Sequence, residues 1–65
     1  MRNRLRELRV AAGMSQLRLS KESGVTRQTI RTLESNPDGE TTTRTIEALC
    51  KALGVRIADF FGEDV

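Results

Sequence analysis

Apolar residues recur at helical spacing in short runs, separated by glycines, hydroxyl residues and one proline. Leu5, Leu8 and Ala12 share a stripe at i, i+3 and i+7, which predicts a first helix over residues 3–12, stopped by Gly13. Met14 is expected as a core plug ahead of Ser15, whose hydroxyl can cap a second short helix running to Ser23. Gly24 follows where a left-handed residue closes a helix, and Val25 is expected beneath the turn. Thr26 is placed to cap a third helix whose inner face carries Ile30, Leu33 and Glu34. Asn36 is expected in a left-handed cap, with Pro37-Asp38-Gly39 as turn chemistry. One of Thr41, Thr42 and Thr43 then caps a fourth helix with Ile46, Leu49, Cys50 and Leu53 on its buried stripe. Gly54 ends it, Val55 packs beneath, and Ile57, Phe60 and Phe61 lie on one side of a last short helix. The expected fold is all-α, one five-helix domain over residues 1–65.

Two charges break the apolar pattern. Arg9 sits on the stripe of the first helix and Glu34 on that of the third. They are explained together if they meet, so an Arg9–Glu34 ion pair is expected; the competing arrangement has Arg9 reaching solvent along its apolar stem.

The second and third helices, joined by a tight turn containing Gly24, have the helix-turn-helix arrangement, and Ser20 is small where the two axes approach. At about 100° per residue, Gln28 and Thr32 point away from the apolar face of the third helix, with Arg27 and Arg31 on its flank. No acid interrupts that surface before Glu34. Arginine pairs with guanine, glutamine with adenine, and the threonine methyl packs on that of thymine. A plain solvated face is the competing reading for any one such helix; the helix and turn ahead of it favour the nucleic-acid reading.

Leu5-Arg6-Glu7-Leu8-Arg9, Gly13-Met14-Ser15-Gln16, Gly24-Val25-Thr26-Arg27-Gln28-Thr29-Ile30, Leu33-Glu34 and Ala52-Leu53-Gly54-Val55 together resemble the Cro/repressor-type helix-turn-helix family. The resemblance spans about residues 4–61, and its joint spacing is specific where no single segment is. It implies a lambda-repressor-like domain in which Arg27, Gln28 and Thr32 occupy the base-reading positions. It also implies that Gln16 touches phosphate and buttresses the reading helix, and that Arg9 pairs with Glu34. Arg31 is an extra cation, placed to reach a base or a phosphate. Thr26, Thr29, Arg18 and Arg44 are further candidates for the DNA backbone; the hydroxyls of Thr41, Thr42 and Thr43 could also touch phosphate, although capping alone would explain these three threonines.

The chain departs from the family at three places. Arg18 stands where a glutamate usually completes a capping box, and Ser23 where an apolar residue is preferred, so the second helix should be loosely held. Asp38 and Glu40 make acidic a loop that in the family tends to be basic and lies near the sugar–phosphate backbone.

Charge and composition narrow the function further. The 65 residues carry a net charge of only +2. Residues 1–32 hold eight cations against two acids, whereas residues 33–65 hold three against seven. The basic half carries the reading helix, and a positive face steers a protein to phosphate. With no histidine and one cysteine, metal clusters and Cys–His nucleophiles are excluded, no cofactor is called for, and an enzyme is not expected. Cys50 on a buried stripe reads as a small core residue, and one unpaired cysteine without a signal-like segment points to a reducing, cytoplasmic setting. No apolar run is long enough to span a bilayer.

The expected function is a sequence-specific double-stranded DNA-binding transcriptional regulator, a repressor acting as a homodimer on a palindromic operator. Ile57, Phe60 and Phe61 are the expected dimer contact, unless both rings merely close the monomer core. The alternative is an antitoxin-like interaction module that engages a partner protein, with DNA binding secondary.

Overall fold

The computed structural model describes residues 2–62 as five helices: α1 (Leu5–Ala11), α2 (Gln16–Ser23), α3 (Arg27–Ser35), α4 (Thr43–Leu53) and α5 (Ile57–Phe60). Leu5, Leu19, Ile30, Leu33, Leu49, Cys50 and Phe60, from all five helices, form the buried core. Leu8, Met14, Val25, Ile46, Leu53, Val55 and Phe61 pack around it, half-buried. α2 lies between α3 and α4, α5 folds back onto α4, and α1 braces α3.

Hydroxyls start three of these helices. Ser15 accepts the N–H of Arg18 (3.0 Å), Thr26 that of Thr29 (3.2 Å) and Thr42 that of Thr45 (3.2 Å). Each bond satisfies one of the four backbone donors that a helix start leaves open. Gly24 and Gly54 close α2 and α4 at φ 77° and 71°, a region where a Cβ would be strained.

Three local expectations are corrected, and one is extended. Asn36 is not left-handed: its φ is −129°, and the chain leaves α3 through a turn closed by Gly39 N–H donating to the Asn36 carbonyl at 2.9 Å. Ala12 does not extend the buried stripe of α1; it is the exposed cap of a helix that ends at Ala11. The first helix also starts later than residue 3, because Asn3 is used otherwise. Buried with 7 % of its surface exposed, Asn3 accepts the Leu5 N–H on Oδ1 and donates Nδ2 to the carbonyls of Leu33 and Pro37. Its own N–H bonds the Pro37 carbonyl and that of Arg4 bonds Phe60, so residues 3 and 4 strap the end of α3 to α5. Finally, Ser20 does more than leave room. Its hydroxyl donates to the Val25 carbonyl at 2.6 Å while Ser23 Oγ accepts the Val25 N–H at 3.1 Å. The polar residue at position 23 thus stitches the turn between α2 and α3 that an apolar one would only fill.

Candidate nucleic-acid interface

α3 presents two faces. Ile30 and Leu33 are buried, Thr29 and Glu34 half-buried, and Arg27, Gln28, Arg31, Thr32 and Ser35 exposed. The exposed set falls at i, i+1, i+4, i+5 and i+8, one continuous helical stripe. It holds two guanidinium groups, an amide and two hydroxyls, with no carboxylate. Gln28 donates Nε2 to Thr32 Oγ1 at 3.3 Å, a long exposed bond that a nucleic-acid base can replace at little cost. Arg27 and Arg31 make no ion pair with any described residue.

The inner edge of α3 is fixed by charge as well as by packing. Arg9 grips Glu34 with both prongs of its fork, Nε to Oε2 at 2.7 Å and Nη2 to Oε1 at 2.9 Å. The two side chains are 14 % and 7 % exposed, so water screens the pair poorly. Arg9 Nη1 also donates to the Met14 carbonyl at 2.9 Å, which ties the turn after α1 into the same cluster. The hydrogen bond from Arg9 to Glu34 holds the guanidinium pKa above its ordinary value, against the smaller opposing effect of burial. Gln16 completes the cluster by donating Nε2 to Glu34 Oε1 at 3.3 Å, so the first residue of α2 leans on the last turn of α3. This is the contact through which Gln16 can buttress α3.

Two recesses flank the exposed stripe of α3. One lies beside the start of α3, where Arg44 and Thr45 of α4 face Thr26, Thr29 and the Gly24-Val25 turn. The other lies beside its end, where Arg6 and Arg9 of α1 face Gln16, Arg31, Glu34 and Ser35. The fold thus brings Thr26, Thr29 and Arg44 together on one side and Gln16 and Arg31 on the other. Arg18 joins neither recess: on the open flank of α2 its Nε lies 2.6 Å from Glu22. Asp38 and Glu40 line a separate hollow with Asn3, Ile46, Phe60 and Phe61.

At the opposite end, Phe60 is fully buried and meets Phe61 edge-on, with ring centroids 5.1 Å apart. Of the three residues expected at a dimer contact, only Ile57, 45 % exposed, and the half-buried Phe61 present surface. Arg56 and Asp59 flank Ile57 and pair with each other at 3.1 Å.

Sequence reasoning missed two contributors. Arg6 was not singled out because nothing local marks it; only the fold of α1 across α3 brings it to the second recess. Asn3 carried the ordinary cap signal of an Asn just ahead of an apolar-periodic run, but its long-range bonds to residues 33 and 37 have no sequence signature. Among the described residues there is no cluster of metal-ligating side chains, and no helix is long and apolar enough to cross a membrane.

Comparison with known proteins agrees with this geometry. A family described as helix-turn-helix matches residues 5–60. A relative in Bacillus subtilis, the uncharacterized HTH-type transcriptional regulator YgzD, is 38 % identical over 63 residues, covering 94 % of this chain and 91 % of that protein. No solved structure gives a significant match.

Proposed function

The chain belongs to the Cro/repressor-type helix-turn-helix family, and on that footing we propose that it is a sequence-specific transcriptional regulator of double-stranded DNA, acting as a dimeric repressor. In this reading α3 lies in the major groove and α2 crosses the backbone above it. Arg27, Gln28 and Thr32 read base edges, with Arg31 at the border between base and phosphate. Gln16, Thr26, Thr29 and Arg44 hold the sugar–phosphate backbone, and Arg18 joins them once it exchanges Glu22 for phosphate. The observation that carries the proposal is the acid-free stripe of α3, held rigid from behind by Ile30, Leu33 and the Arg9–Glu34–Gln16 cluster. Rigidity matters because a base contact discriminates only if the side chain is delivered to a defined place.

One module of this kind buries roughly 600–1,000 Å² of protein surface on DNA, little for specific binding by itself. Two copies related by a two-fold axis double that area and impose a palindromic site with half-sites about 34 Å apart. Ile57, with the Phe61 edge beside it and Phe60 supporting both from the core, supplies the apolar centre of that contact. Selection of bound sites from random duplex DNA tests the proposal. The expected product is an inverted repeat with a half-site of several base pairs. Recovery of unrelated sequences with no common half-site would refute it.

A further inference from the structure

Among the described residues, three cations enter the recess at the end of α3, and one of them is neutralised. Arg9 is committed to Glu34 and the Met14 carbonyl. Arg6 and Arg31, from two different helices, line the same recess, are exposed, and make no ion pair with any described residue. Gln16 and Ser35 line the same recess, and the only acid in it, Glu34, already takes the hydrogen bonds of Arg9 and Gln16. Two uncompensated guanidinium groups around one polar recess, alongside a helix aimed into a groove, are complementary to a phosphodiester.

We propose that Arg6 and Arg31, with Gln16 in the same recess, form a clamp for one DNA phosphate at the edge of the major groove, which makes Arg31 a backbone contact and adds Arg6 of α1 to the interface. The proposal rests on the DNA-reading role of α3 given above and settles which of its two possible contacts Arg31 makes. The position of Arg31 favours phosphate. With Ser35 it is an exposed residue of α3 that lines the recess facing α1, whereas Arg27, Gln28 and Thr32 do not line it. Asp38 and Glu40, in the loop that follows α3, repel phosphate and line a different hollow, so the backbone is drawn to the Arg6 side.

The test is equilibrium binding of wild type, Arg6→Gln, Arg31→Gln and the double variant to two duplexes, one carrying the selected half-sites and one scrambled, between ~50 and ~200 mM salt. Both arginines are exposed, and urea midpoints equal to wild type establish that the variants are folded. Each single variant is expected to weaken both duplexes by the same factor. The slope of log K against log salt falls by about 0.9 for each arginine lost, so each variant loses about 3.5-fold less affinity over that fourfold salt range. Replacing one phosphate of the selected site by a neutral methylphosphonate should weaken wild type but leave the double variant nearly unaffected at one position only.

A slope unchanged in Arg6→Gln, while wild type still distinguishes the two duplexes, overturns the clamp and leaves the DNA-reading role standing. An Arg31→Gln variant weakened only on the selected duplex also overturns it, because that is the behaviour of a base contact. Wild type that binds neither duplex overturns the reading of α3 and the clamp with it.

Discussion

Replacing Glu34 by alanine should be the most damaging single change behind the reading helix. Glu34 accepts both prongs of the Arg9 fork and the Gln16 amide, and its side chain is 7 % exposed. Its removal strands a guanidinium that is 14 % exposed, with only the Met14 carbonyl left as partner among the described residues. Breaking a buried pair from one side costs about 3–5 kcal/mol, and the residual water at Arg9 places this case at about 3 kcal/mol. A domain of this length has total stability of roughly 3–10 kcal/mol, so the variant should lose about 30 % or more of it. Arg9→Met should cost less, because Glu34 keeps Gln16 and can recruit water. Arg9→Met with Glu34→Leu should recover most of the loss, since apolar replacements of similar volume remove both desolvation costs together. Urea denaturation of wild type, Arg9→Met, Glu34→Leu and their double variant at constant salt closes the cycle. A coupling of about 2 kcal/mol or more is expected from the fork geometry. Additive losses within about 0.5 kcal/mol would refute the reasoning, because independent sites add to that precision.

Two further outcomes follow from buried groups. Asn3→Ala removes the Nδ2 donor shared by the Leu33 and Pro37 carbonyls and the acceptor of the Leu5 N–H, and should cost about 1–3 kcal/mol by urea denaturation. Because the lost bonds lie at the C-terminal end of α3, hydrogen exchange should quicken there before it does at α4. Cys50 is buried, and burial first, with Asp59 second, raises its thiol pKa. A group whose folded pKa lies above its unfolded value contributes stability below the unfolded value and loses it as pH rises through the folded one. Wild type should therefore lose stability at alkaline pH relative to Cys50→Ala, and iodoacetamide should label Cys50 no faster than the protein opens. Rapid labelling at neutral pH under native conditions would contradict this placement.

How much was legible in the sequence depends on whether a residue's role is local. Ser15 and Thr26 cap their helices as their positions predict, because capping is settled within three residues. Gly24 closes α2 for the same reason. The Arg9–Glu34 pair spans 25 positions yet was readable, because each charge violated an apolar stripe and the two violations had opposite sign. Asn3 violates no stripe, so its bonds across the fold were invisible. Asn36 tolerates the left-handed region but does not need it, and the Pro37–Asp38 turn satisfies its carbonyl without it. Phe60 and Phe61 illustrate another limit: only the docking of α5 on α4 decides that Phe60 is fully buried while Phe61 packs half-buried at the edge of the core. Arg27, Gln28 and Thr32 were readable as an outward face because helical period alone fixes their direction. That Arg31 shares a recess with α1, apart from those three, required knowing where α1 lies.

The central claim is that Gln28 delivers its amide to one base pair of a duplex. Gln28→Ala, whose side chain bonds only Thr32 among the described residues, leaves the fold intact and can be compared with wild type on the selected site and on that site changed at the contacted pair. Wild type should prefer the selected site by ~1–3 kcal/mol at that pair, and Gln28→Ala should bind the two duplexes equally. If Gln28→Ala keeps the full wild-type preference at every base pair, the outward face of α3 is not what reads DNA.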